Sequence, residues 1–172
     1  MGTANSSAMQ APAEGLGPGA TRPWRVMAVS SSGGVLLELL AVRPWLGTHD
    51  VTWVCVAAED TRSALAGQLV HWVPECESVF PVSFLPALRR AAQMLSEVEP
   101  DLVLSAGTGV AVPFFLAARA KRIPSVWLET FNVIGRPGRV ARLCGRLAAM
   151  TLVQHPDLVH RRRRAAYIGA LY

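Results

Sequence analysis

The residues best suited to chemistry are two glycine turns and two carboxylates. Ser31, Ser32, Gly33 and Gly34 separate an apolar run from a helical pattern. Glycine there lets the backbone approach a ligand closely, and the free amides of a helix start favour an anion such as a diphosphate. The alternative is a strand-to-helix turn that binds nothing. Residues 105–113 (SAGTGVAVP) repeat the arrangement. Gly107 and Gly109 permit close packing, and Thr108 is placed to cap the helix that follows. The two turns together read as candidate diphosphate contacts through Ser32, Gly33, Gly34, Gly107, Thr108 and Gly109. Neither G-x-G-x-x-G nor the P-loop lysine pattern is present, which disfavours redox cofactors and ATP; no cofactor is expected.

Glu38 sits near the first turn of an otherwise apolar helical stretch, where a carboxylate is costly to bury without a partner. It either complements the helix dipole or holds the glycine loop. Glu129 ends an apolar strand, a position that faces the ligand crevice of a parallel sheet; the alternative is a salt bridge to a nearby arginine. These two are the candidate catalytic residues. Cys55, Cys76 and Cys144 share no metal-ligand spacing with one another or with the histidines, so no metal is expected. His155 and His160 flank Asp157 in no zinc pattern and read as surface residues.

Positioning these groups requires a particular set of elements. Residues 24–30, 51–57, 101–105 and 125–129 are apolar and rich in β-branched or aromatic side chains, which predicts strands. Residues 35–42, 58–66, 85–98 and 110–120 predict helices, the third with clear helical spacing and the fourth with Pro113 tolerated in its first turn. Residues 69–80 read as an extended connection. Strands alternating with helices give an α/β fold, a Rossmann-like parallel sheet with helices on both faces, in which both glycine turns and Glu129 fall along one sheet edge.

With 172 residues and half of them apolar, the chain is long enough for one core. Residues 1–22, mainly Ala, Gly, Ser and Pro, read as a disordered tail, leaving 23–172 as the domain. No window reaches the roughly 20 apolar residues needed to cross a bilayer. The formal charge of +5 comes largely from Arg136, Arg139, Arg142, Arg146 and the run from Arg161 to Arg164. Without aromatic interleaving or a known motif, nucleic acid is not expected as a partner. The run reads as a solvated face, suited to an anionic membrane surface. Residues 165–172 form either a last strand or a tail that docks on a partner.

Taken together, SSGG-x-x-x-E (31–38), DLVLSAGTGVAVPFF (101–115), the strand ending at Glu129, VQHPDL (153–158) and YIGAL (167–171) resemble the oligosaccharide-biosynthesis family. That family contains the membrane-anchoring subunit of the eukaryotic two-subunit GlcNAc transferase of dolichol-linked glycan synthesis and bacterial capsule and exopolysaccharide transferase subunits. The resemblance implies the N-terminal half of a split GT-B glycosyltransferase, binding a polyprenyl-diphosphate-linked sugar acceptor. A C-terminal-half glycosyltransferase subunit would be the partner and would hold most of the nucleotide sugar. It further implies that Gly33 and Gly34 face the acceptor diphosphate, that Glu129 lies near the cleft between subunits, and that the protein is cytoplasmic and peripheral on the inner face of the plasma membrane. Val35 stands where the family usually has His, so no base acts from that position. Either Glu38 or Glu129 takes the proton, or the chain is a supporting scaffold that recruits and activates a partner transferase.

Overall fold

The computed structural model describes residues 22–76, 84–133 and 135–171. The predicted tail, apart from Arg22, lies outside the described residues, as does the end of the 69–80 stretch. Seven strands form one sheet: β1 (Arg25–Ser30), β2 (Asp50–Val56), β3 (Val70–Val73), β4 (Leu102–Ser105), β5 (Ser125–Leu128), β6 (Met150–Val153) and β7 (Ala165–Tyr167). Their order is β3-β2-β1-β4-β5-β6-β7, and every neighbouring pair is parallel. Among the described residues six α-helices accompany them: α1 (Gly34–Ala41), α2 (Arg43–Leu46), α3 (Glu59–Ala64), α4 (Phe84–Val98), α5 (Ala111–Ala120) and α6 (Arg139–Leu147). A 3-10 turn spans Pro156–Arg161. This is the Rossmann-like architecture expected from the strand–helix alternation.

The strict two-residue period of β1 and β2 divides the interior into two cores. Met27, Val29, Val54 and Val56 face one side, where α4, α5 and α6 pack. Val26, Ala28, Trp53 and Cys55 face the other, against Leu36 and Leu39 of α1. Both faces of the central strands are thus covered, which is why their sequences are almost continuously apolar. Asp101 secures the lower edge: it accepts two hydrogen bonds from the Arg22 guanidinium and one from the Arg25 amide. The Arg22 contacts are the first cause of a carboxyl held below its ordinary range.

Several expectations are corrected. Within the 69–80 stretch, expected to be an extended connection, residues 70–73 are an edge strand in register with Trp53–Val56. Pro44 lies in the first turn of α2, where its missing N–H is not needed. Neither α6 nor β6 was anticipated. Residues 165–167 form the last strand of the sheet, the first of the two alternatives given for that segment.

Cys55, Cys76 and Cys144 are buried, and no disulfide joins them. Burial pushes the Cys55 thiol up to about 11 and the Cys144 thiol up to about 12. Since the thiolate is the reacting species, both should resist a disulfide reagent at neutral pH in the native protein and react only with unfolding. Mass spectrometry after timed labelling, with and without denaturant, checks this; fast native labelling at either residue is the contrary outcome.

Candidate functional site

After β3 the chain crosses to the far side of β1 and continues the sheet at β4. The loops after β1 and β4 therefore diverge at a topological switch point, where parallel sheets open a crevice. The two glycine turns lie there side by side. A Cβ placed on Gly107 would come within 3.3 Å of a Val35 methyl, so Val35 of the first turn packs directly on the second.

The turns are not equally open. Gly33, the N-cap of α1, has φ 73° and is exposed, as is Gly34, while Ser32 is half-buried. The Gly33 amide donates to Asp60 Oδ2 at 2.8 Å, so the protein's own carboxylate already satisfies this part of the turn. Gly107 and Gly109 are buried, Gly109 beneath the Cys76 backbone, and neither lines the cleft described below. Thr108 does not cap α5 with its side chain. Its φ of 71° lies in the left-handed region, and its hydroxyl is buried without a hydrogen-bond partner among the described residues. Such strain costs of order 1–3 kcal/mol and persists only where the surroundings enforce it.

A cleft of about 750 Å³ opens beside the first turn. One wall is α1, through Gly34, Val35, Leu37, Glu38 and Ala41; the other is Thr130 and Asn132 after β5, with Leu171 closing it. Leu37 is 59% exposed, so the α1 wall offers apolar surface to whatever enters.

Both candidate carboxylates are buried, and both are fully engaged. Glu38 Oε1 accepts the Phe131 amide at 2.9 Å, and Oε2 accepts Gln154 Nε2 at 2.6 Å. Glu38 thereby ties the helix that follows the glycine turn to the opposite wall. Glu129 receives Arg162 through Nε at 3.0 and 2.8 Å and Nη2 at 2.7 Å, making the salt bridge foreseen as its alternative role. Arg162 also donates to the Gly135 carbonyl. Hydrogen bonding to Glu129 is the main cause that raises the guanidinium pKa, against the effect of burial.

Three residues in this arrangement were missed. Arg162 was placed on a solvated basic face, whereas it turns inward; Arg161, Arg163 and Arg164 are the exposed members of the run. His155 is only half-exposed: its Nε2 lies 2.7 Å from the Phe131 carbonyl, which can only accept, and its ring packs on Phe131 at 4.6 Å. Gln154 also donates to the Glu129 carbonyl at 3.2 Å and accepts the Leu171 amide at 3.2 Å. The signal that could have found Gln154 is its place just past a parallel strand, the same rule that singled out Glu129, but β6 had not been recognised.

Among the described residues there is no cluster able to hold a metal ion, and no helix is long and apolar enough to cross a membrane.

No protein-family model matches the sequence. The chain is 33% identical over 142 residues to the UDP-N-acetylglucosamine--N-acetylmuramyl-(pentapeptide) pyrophosphoryl-undecaprenol N-acetylglucosamine transferase of Parasynechococcus marenigrum, covering 76% of this chain and 38% of that protein. The crystal structure of MurG from Acinetobacter baumannii matches it with a TM-score of 0.71 at 22% identity, over 84% of this chain and 45% of the other. Its relatives are MurG-type GT-B glycosyltransferases. The UDP-N-acetylglucosamine 2-epimerase of Rickettsia bellii shares the fold, with a TM-score of 0.68 at 12% identity over 87% of this chain and 46% of that one. The chain spans between 20% and 38% of the length of the curated MurG-type relatives it matches. Against the solved Acinetobacter baumannii MurG the match covers somewhat under half of that chain.

Proposed function

We propose that this chain is the acceptor-binding component of a two-component GT-B glycosyltransferase. With a separate polypeptide supplying the nucleotide-sugar half, it transfers a sugar to a polyprenyl-diphosphate-linked acceptor in polysaccharide synthesis. The observation that carries this reading is the cleft at the switch point. It combines the exposed start of α1 at Gly34, beyond the Gly33 amide that Asp60 occupies, where helix-start amides suit a phosphate, with an exposed apolar wall, suited to the lipid beside it. The acceptor named for the MurG-type relatives, a pyrophosphoryl-undecaprenol, has this mixed character. The capsule and exopolysaccharide subunits that the sequence resembles supply the two-chain arrangement. Arg139, Arg142 and Arg146 are exposed on α6 and supply an attraction of about 1 kcal/mol each to an anionic leaflet, enough together for reversible docking.

In this reading Glu38 and Glu129 serve the cleft by holding its walls. The oxygens of Glu38 are occupied by neutral donors and those of Glu129 by a guanidinium, so neither is poised to take a proton from an acceptor hydroxyl. That observation, with Val35, favours a second reading: a non-catalytic scaffold that presents the acceptor to a partner carrying all the chemistry.

The test is co-purification with a candidate C-terminal-half transferase, followed by transfer of labelled sugar from a nucleotide sugar to a short polyprenyl-diphosphate-linked acceptor. Complex formation with turnover that needs both chains is the expected result. A partner that turns over alone once the acceptor is abundant establishes the scaffold. Absence of both complex and transfer with every candidate half would sink the two-component proposal.

A further inference from the structure

The VQHPDL stretch runs from the last residue of β6 into the 3-10 turn. Gln154, within it, is buried to 3% exposure just past β6; it does not line the cleft, but its side chain reaches Glu38 of α1 and the Glu129 carbonyl at the end of β5. Three demands converge on its side chain: Glu38 of α1 needs a donor, the Glu129 carbonyl needs a donor, and the Leu171 amide needs an acceptor. A primary amide, with two N–H donors and one carbonyl, meets all three. No apolar side chain meets any of them, and an ionised carboxylate would face Glu38 with like charge and no proton to donate.

We infer that Gln154 is the positioning residue of the cleft, the single side chain that locks α1, the backbone after β5 and the segment after β7 at the spacing a ligand requires. Glu38, Asn132 and Leu171 line the cleft, and each belongs to an element that Gln154 or its hydrogen-bond partner holds. This inference deepens the proposed acceptor role and rests on it for the nature of the ligand, but not for the geometry.

Two variants test it: Gln154→Leu, which removes all three bonds, and Gln154→Glu. In the second, a protonated carboxyl gives Glu38 one donor and keeps the acceptor for Leu171, while an ionised one repels Glu38. Glu38, Glu129 with its Arg162, His155 and, on the neighbouring β7, Tyr167 are charged or titratable groups around this position. Wild type and Gln154→Leu contain all of them, so a pH response peculiar to Gln154→Glu belongs to residue 154.

The readouts are the hydrogen-exchange protection factor of the Phe131 amide, which donates to Glu38, and the affinity for farnesyl diphosphate as the probe. Gln154→Leu is expected to lower both about tenfold, the equivalent of one to two lost net hydrogen bonds, at every pH. Gln154→Glu should match it at about pH 8 and recover toward wild type as the pH falls to about 5. Unchanged protection and affinity in Gln154→Leu, or a Gln154→Glu profile parallel to wild type, overturns the inference. If wild type does not bind the diphosphate, the acceptor reading fails, while Phe131 protection still decides the role of Gln154. If Gln154→Leu does not fold, the pH profile of Gln154→Glu decides alone.

Discussion

Arg162→Met is expected to destabilise the protein by about 3–5 kcal/mol, measured by urea denaturation, because it leaves the Glu129 carboxylate buried without its cation. The side chains of the pair are 12% and 3% exposed, and three short contacts join them, so water does not readily replace the guanidinium. The Gly135 carbonyl loses a donor as well. Adding Glu129→Leu to Arg162→Met should recover most of the loss. Two apolar side chains of fitting volume can replace a buried ion pair at little net cost, whereas a lone charge cannot be accommodated. A single-variant loss below about 1 kcal/mol would mean that the pair behaves as a surface contact and does not hold the wall after β5.

Gly109→Ala should cost about 3 kcal/mol or more, or prevent folding, whereas Gly34→Ala should stabilise by up to about 1 kcal/mol. The contrast follows from what a methyl group meets. At Gly109 it would fall inside the envelope of the Cys76 carbonyl, backbone against backbone, with no flexible side chain to give way. At Gly34, the first residue of α1, no atom lies within 4 Å, and alanine has the better helix propensity. Thermal unfolding of both variants decides it, and comparable melting temperatures would show that the Cys76 backbone moves aside. Gly34→Ala also places a methyl on the cleft wall, so stability should rise while affinity for a polyprenyl diphosphate falls.

The frame that positions the cleft was legible because its strands are buried on both faces. β1, β2, β4 and β5 are almost continuously apolar, and their alternation with helices predicted where both glycine turns would meet. α6 was not legible because its arginines dilute the apolar face, although spaced as an amphipathic helix requires. β3 was obscured by His71, which an edge strand tolerates but a central one would not. The resemblance to two-subunit transferases predicted a GT-B glycosyltransferase relationship, and the MurG-type relatives support that coarser statement.

The site was legible only in part. The positions of Glu38 and Glu129 marked them as candidates, but the partners that define their work are distant in sequence. Phe131 and Gln154 lie 93 and 116 residues from Glu38, and Arg162 lies 33 from Glu129. No local pattern encodes such contacts; they exist only once the sheet is assembled. Thr108 shows the converse failure. Its residue type suits a helix cap, but the left-handed backbone at this turn directs its hydroxyl elsewhere.

The central place of β1 has a consequence for synthesis on the ribosome. Val26 to Ser30 find β2 soon after it is made, but the opposite flank of β1 must wait for Leu102 to Ser105. At roughly 5–20 residues per second, that flank stays open for several seconds as an apolar ribbon with unpaired amides. Nascent chains are therefore most exposed to chaperone capture, or to sticking to one another, in the interval before β4 leaves the exit tunnel.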